Sequence, residues 1–176
     1  GIGGANLSRD LHGIADMSDQ LGADSAFAKT MLHHSNYMRD WVLRTITDLR
    51  QEQAVNSLAI LGLAYKPGTQ STRGSPGLDL LRTFESCMKI NVHDPSVVLD
   101  PRPQGSRAKQ LNKVMEAISS CQLIAVTTPW PEYAVTLREF LKASSGSVVI
   151  DPYRMVQKSW VLGPGCRIIQ LGVANV

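Results

Sequence analysis

Between residues 62 and 76 the chain reads GLAYKPGTQSTRGSP, which places three Gly, two Pro, four Ser or Thr and two cations directly behind an apolar run. Lys66 and Arg73 stand there beside backbone N–H groups and an expected helix start near Ser75, a chemistry suited to phosphate or another anion. The same residues also make a solvated turn, and composition leaves both readings open. Two common phosphate motifs are excluded. Gly62 and Gly68 are one residue too far apart for a P-loop with no Lys after Gly68, and no GxGxxG occurs.

Other reactive side chains point to structure. Cys87, Cys121 and Cys166 are odd in number, widely spaced and without a CxxC, so they read as reduced, buried, small hydrophobes. His12, His33 and His34 have no His or Cys four residues on, and no metal site is expected. Asp94 stands where a dinucleotide fold keeps its ribose-binding acid; without the glycine fingerprint, and with Pro95 next, it is expected to cap a turn. Trp130, between two prolines, reads as a structural corner. His93 would titrate near neutral pH, but nothing assigns it a proton to move.

Two kinds of periodicity position these residues. From Asp24 to Gln53 apolar residues recur at helical spacing without Pro or Gly, predicting one helix of roughly 28 residues, about 40 Å long. A shorter helix over about 7–21 precedes it, ended by Gly22, with Asp24 or Ser25 as the next cap. Beyond residue 55, short β-rich runs are expected at 57–62, 89–93, 123–127, 147–150 and 167–170, alternating with helices at 76–87, 107–119 and 136–143. That alternation predicts a Rossmann-like α/β fold, a parallel sheet of about five strands with helices on both faces, preceded by a long helical segment. Ligands of such sheets sit beyond the carboxyl ends of the strands, here loops 62–75, 94–106, 127–135 and 151–158. The stretch 100–106, DPRPQGS, looks the most flexible.

Composition bounds the rest. The chain has 176 residues, 43% hydrophobic and 19% charged, ordinary for one globular domain or for one domain with an appendage. Eighteen Lys and Arg against fifteen Asp and Glu give +3, too weak and interspersed a field to argue for nucleic acid. No apolar run approaches the roughly 20 residues of a membrane span. The start GIGGANLSRD lacks a secretory pattern and an initiator Met, so the chain reads as a fragment or processed piece.

Five blocks, in order, resemble the C-terminal domain of the UDP-glucose/GDP-mannose dehydrogenase family: Gly62–Thr69, Thr72-Arg73 with Ser75-Pro76, His93-Asp94-Pro95, Thr128–Glu132 and Val149-Ile150-Asp151. Upstream, Gly1–Asp10 aligns without gaps on the family's catalytic G-x-G-G-S-C-[FL]-P-K-D segment, and Asn36 falls where the family carries an Asn. The resemblance implies a cytoplasmic enzyme with an N-terminal NAD-binding domain, a central helical domain that dimerises and a C-terminal domain for the nucleotide sugar. Residues 1–54 would end the central domain and 55–176 form the C-terminal one. Helix 24–53 would build a homodimer; the other reading is a helix that covers the sheet.

The family reaction oxidises the sugar C6 alcohol twice with two NAD⁺, through a cysteine thioester, to a uronic acid. By resemblance Asp10 is the conserved acid, Arg9 replaces the family Lys, Tyr65 and Lys66 touch the nucleotide sugar, and Arg73 lies on the cofactor or phosphate side. The nucleophile position holds Asn6, and an amide cannot form a thioester. Ala5 and Ser8 also depart from the pattern, and Asp151-Pro-Tyr-Arg154 shifts the arginine of the family's D-G-R-N by one position. The expected parent is an NAD-dependent dehydrogenase of a UDP-sugar, most simply UDP-glucose, with this fragment inactive alone. Asn6 leaves three routes: oxidation through the aldehyde hydrate, a two-electron enzyme, or a binding and dimerisation module without turnover.

Overall fold

The computed structural model of the chain describes residues 6–99 and 108–173. The loop 100–106 and the Gly1–Ala5 part of the family match lie outside the described residues. Three helices come first: α1 (Asn6–Gln20), α2 (Ala26–Arg39) and α3 (Trp41–Glu52). There follow β1 (Ser57–Leu61), α4 (Pro76–Phe84), β2 (Lys89–His93), β3 (Ala108–Gln110), α5 (Val114–Ile118), β4 (Leu123–Val126), α6 (Pro131–Ala143), β5 (Val148–Ile150) and β6 (Arg167–Ile169).

All strand pairs are parallel and the order is β3-β2-β1-β4-β5-β6. Winding reverses between β1 and β4, so a crevice is expected beyond their carboxyl ends. Residues Leu58–Leu61 of β1 and all of β4 are unbroken apolar runs because both sheet faces are covered. On one face Val42, Ile46 and Leu49 of α3 and Leu80, Leu81 and Phe84 of α4 close over Leu58, Ile60 and Ile90. On the other, Ile118 of α5 and Tyr133, Leu137 and Leu141 of α6 close over Ala59, Leu61 and Ile124.

The Rossmann-like α/β architecture agrees with the sequence, and three details differ. The single helix expected over 24–53 is two, because at Asp40 (φ −81°, ψ 1°) the backbone leaves the helix. The two halves serve different partners: Ala28 of α2 packs on Leu11 and Ala15 of α1, whereas α3 buries its apolar face on the sheet. Asp, whose side chain competes for local backbone groups, is a tolerable residue at such a break.

A sixth strand, β3, occupies the start of the helix expected at 107–119, leaving α5 only five residues. Its sequence Ala-Lys-Gln carries no β-branched side chain; it is fixed instead by pairing with β2 and by Gln110, whose amide bonds Leu99 N (2.8 Å) and the Val97 carbonyl (2.6 Å). Finally, α6 begins at Pro131, five residues before the expected start at Thr136, using the preset φ of proline in its first turn.

The cysteines divide by location. Cys121 is buried and Cys166 half-buried, but Cys87 is exposed, contrary to the expectation that all three are core, because Phe84 and Met88 take the inward positions around it. Among the described residues no helix is long and apolar enough to cross a membrane.

Candidate functional site

Strand β1 delivers the chain into the crevice through Gly62. Its φ of +114° favours glycine, and a Cβ there would lie 2.4 Å from the Thr128 side chain. Gly77, in the first turn of α4, is equally constrained: a Cβ would stand 2.1 Å from the Gly62 carbonyl oxygen. The helix start is therefore pressed against the strand end. Ser75 caps α4, its hydroxyl accepting from Leu78 N at 3.2 Å, and Pro76 opens the helix. The Thr127 hydroxyl donates to the Gly62 carbonyl at 2.6 Å, and that of Thr128 donates to the Ala64 carbonyl.

Asp94 fixes the opposite bank. One carboxylate oxygen accepts from Leu63 N (2.6 Å), Ala64 N (3.0 Å) and Trp130 Nε1 (3.3 Å); the other accepts from Ser96 N and Val97 N, both at 2.8 Å. Burial opposes its ionisation, but the four backbone N–H groups outweigh that and hold the carboxyl below the usual carboxylate range. Asp94 thus caps its own turn, as expected, and also ties the β1 loop and the Trp130 corner to β2. His93 is buried, with Nδ1 3.2 Å from the Tyr133 hydroxyl, which donates to the His93 carbonyl at 3.0 Å. Burial pushes the Tyr133 phenol far up, so it serves as a neutral donor.

Between β1 and β4 lies a cavity of about 150 Å³, walled by Tyr65, Gly74, Thr127, Tyr153 and, from the helices, Arg39 and Val42. Tyr153 donates its hydroxyl to the Thr127 carbonyl at 2.9 Å, and burial raises its phenol so that it stays neutral. Asp151 shapes this wall by accepting from Tyr153 N (3.2 Å), Val156 N (2.8 Å) and Gln170 Nε2 (3.0 Å). Arg154 takes a left-handed φ of 57° and donates to the Leu171 carbonyl at 3.2 Å.

Of the residues singled out in the sequence, Tyr65 is half-buried in this wall, with Lys66 Nζ 5.5 Å from its ring centroid. Lys66 and Arg73 are exposed on the same loop, and Tyr65 N is held to the Ser71 carbonyl at 3.0 Å. The cavity lining contains none of Asn6, Arg9 and Asp10. All three are exposed in the first turn of α1, where Arg9 Nη2 and Asp10 Oδ1 pair with each other at 2.9 Å. Nothing in the sequence marks Arg39 as a lining residue, and the only signal for Tyr153 is its place two residues after Asp151. Among the described residues no group of three His, Cys, Asp or Glu is placed to hold a metal ion.

The sequence profile of the UDP-glucose/GDP-mannose dehydrogenase family, UDP binding domain, matches residues 59–158. The chain belongs to this family. It is 23% identical to a UDP-glucose 6-dehydrogenase of Rickettsia typhi over 98% of its length and 41% of the relative's. With a UDP-glucose 6-dehydrogenase of Pseudomonas aeruginosa it shares 23% identity over 76% of this chain and 31% of the relative. In fold it is similar to a UDP-glucose dehydrogenase of Pyrobaculum islandicum (TM-score 0.70, 22% identity, 100% of this chain and 38% of that one). A UDP-D-ManNAc dehydrogenase of Pyrococcus horikoshii is alike at TM-score 0.66, 20% identity, 96% of this chain and 38% of that one. The chain spans about two fifths of the length of such relatives.

NAD, the cofactor the resemblance implies, does not fit a site built from this family member's residues alone. The β1 loop lacks the glycine turn for a pyrophosphate, and Asp94, where a ribose would be gripped, already accepts five hydrogen bonds.

Proposed function

We propose that the chain is the nucleotide-sugar-binding end of an NAD-dependent dehydrogenase that oxidises the C6 alcohol of a UDP-sugar, UDP-glucose to UDP-glucuronate. The observation that carries this reading is the Gly- and Pro-rich β1 loop, with Tyr65, Lys66 and Arg73, at the reversal of strand order in a member of a UDP-binding family. Tyr65 packs on the nucleotide sugar, the Lys66 ammonium meets its anionic oxygens, and Arg73 faces the phosphate or cofactor side. NAD is held in the main by a separate N-terminal domain of the parent. Residues 1–54 complete a central helical domain and 55–176 form the sugar-nucleotide domain of a cytoplasmic enzyme. Exposed Phe27 (78%) and Tyr37 (56%) on α2 support a homodimer through the 24–53 region. A monomer in sedimentation at micromolar concentration would remove that element.

Asp10 supports the water and proton chemistry of the second oxidation, with Arg9 supplying the family's cation. Asn6 favours a second reading, a module that binds and dimerises without turnover, since the family's covalent route is closed to an amide. The deciding measurement is NADH formed per UDP-glucose consumed by the full-length parent and by its Asn6→Cys variant. Two NADH from the native protein support a dehydrogenase that needs no thioester; none from it and two from the variant support the binding module. The chain alone is expected to turn over nothing. It is expected to bind UDP, and Lys66→Ala is expected to weaken binding about ten-fold, the worth of one charged hydrogen bond. Unaltered UDP affinity in that variant would sink the role given to Lys66.

A further inference from the structure

His93 ends β2 and lines a cavity of about 580 Å³ that opens beside β2 and β3, away from the β1 loop. The residue is 5% exposed, and only one of its ring nitrogens is engaged. Tyr133 has a single hydroxyl proton and gives it to the His93 carbonyl at 3.0 Å. The 3.2 Å contact between that hydroxyl and Nδ1 therefore needs the ring proton on Nδ1, which leaves Nε2 of the neutral imidazole a bare acceptor. Among the described residues Nε2 has no hydrogen-bond partner and faces Glu132 Oε1 at 3.9 Å, too far for a hydrogen bond. Nor is Nε2 sealed off. Among the described side chains that are not exposed, the one unpartnered nitrogen or oxygen closed to solvent is Arg39 Nε, so Nε2 is reached from the cavity it lines.

Glu132, in the first turn of α6, lines the same cavity and is half-exposed, with no other ion pair and no side-chain hydrogen bond among the described residues. Two electron-pair donors thus face each other with nothing between them to accept. The remaining ionisable group of the lining is Asp94, also a carboxylate, and the lining holds no Lys or Arg. The start of α6 carries a positive partial charge of roughly half a unit, less than the two carboxylates beside it. The field there selects a cation.

An imidazole beside a carboxylate is a donor pair for a transition-metal ion. A ring whose other N–H is held, here by Tyr133, is the arrangement that orients metal-binding histidines. With bonds near 2.0 Å in a tetrahedral site, the two donor atoms would stand roughly 3.3 Å apart. From 3.9 Å, Glu132 has about 0.6 Å to close, within reach of a half-exposed side chain with no other tie. We propose that His93 Nε2 and the Glu132 carboxylate hold a divalent transition-metal ion in this cavity, with Tyr133 positioning the imidazole and water filling the other coordination positions. The inference is independent of the nucleotide-sugar reading.

Long-range hydrogen–nitrogen NMR of the imidazoles in the full 176-residue chain, at about pH 7.5 where an ordinary imidazole is neutral, tests it. His93 is assigned by the loss of its signals in His93→Gln. Before metal is added, Nε2 is expected to carry no hydrogen. On titration with zinc chloride its resonance is expected to shift at lower zinc concentration than those of His12, His33 and His34. Tyr133→Phe, which frees the ring, is expected to weaken zinc binding at His93 about ten-fold, and Glu132→Gln to weaken it further. Circular dichroism melting checks that the variants are folded; should Tyr133→Phe unfold, Glu132→Gln at its half-exposed position decides alone. A hydrogen found on Nε2 without metal means an ion pair with Glu132 and overturns the inference. So does an unaltered zinc affinity at His93 in Glu132→Gln, or the absence of any zinc response at His93. A response of His93 only together with the other histidines means an adventitious ion only, and overturns it as well.

Discussion

Two cavities open beyond the carboxyl ends of the strands, and they differ in what their polar groups have left to give. The larger, about 580 Å³, lies past β2 and β3 beside His93, Asp94, Gln110 and Glu132. Its polar side chains are largely committed: Asp94 accepts five hydrogen bonds, Gln110 holds Val97 and Leu99, and His93 faces Tyr133. The smaller, about 150 Å³ between β1 and β4, is walled by Gly74, Pro76, Tyr65, Tyr153 and Arg39, whose Nε has no hydrogen-bond partner among the described residues. By volume alone the larger would rank first. Position favours the smaller, which lies where strand order reverses.

The largest effect is expected at Gly62, which follows β1 and lines neither cavity. Gly62→Ala combines a left-handed φ with a Cβ 2.4 Å from Thr128, and is expected to cost about 4 kcal/mol in urea unfolding. A loss below about 1 kcal/mol would mean that the strand end is loosely packed.

Asp94→Asn sharpens the contrast next. The amide keeps the shape but surrenders charge-assisted bonds, with an expected loss of about 3 kcal/mol at pH 7. Because the folded carboxyl lies below its ordinary value of 3.8, its contribution is whole above about pH 4 and fades as the pH falls through the lowered folded value. The native and Asn chains should thus converge in stability below about pH 4, read from unfolding curves at a series of pH values. Parallel curves down to pH 2 would show that Asp94 is not the group being protonated.

Tyr153→Phe probes the smaller cavity with the least effect. Losing one hydrogen bond to the Thr127 carbonyl is expected to cost about 1 kcal/mol in unfolding while leaving the stability difference of Asp94→Asn unaltered when the two are combined. Strong non-additivity would join the two sides into one network.

Those polar commitments mark where sequence reasoning stops. The buried strands could be read from runs such as Leu58–Leu61 and Leu123–Val126, because a fully covered parallel sheet demands continuous apolar residues. Strand β3 could not: Ala-Lys-Gln is a strand only because β2 offers it an edge. Nor could the break at Asp40, since neither Gly nor Pro marks it and helical periodicity runs on through Met38, Trp41 and Val42. In the site, the β1 loop announced itself through Gly62, Pro67, Gly68 and Gly74. Arg39 did not, because an arginine in an amphipathic helix reads as solvated until the tertiary fold removes the water from Nε.

The break at Asp40 also sets a mechanical property. Met38 and Arg39 reach the smaller cavity from the α2 side of the joint and Val42 from the α3 side, while α3 is anchored to the sheet and α2 to α1. The cavity is thus walled from both sides of one helix break, so that its width is set by the angle between α2 and α3 as well as by the strands.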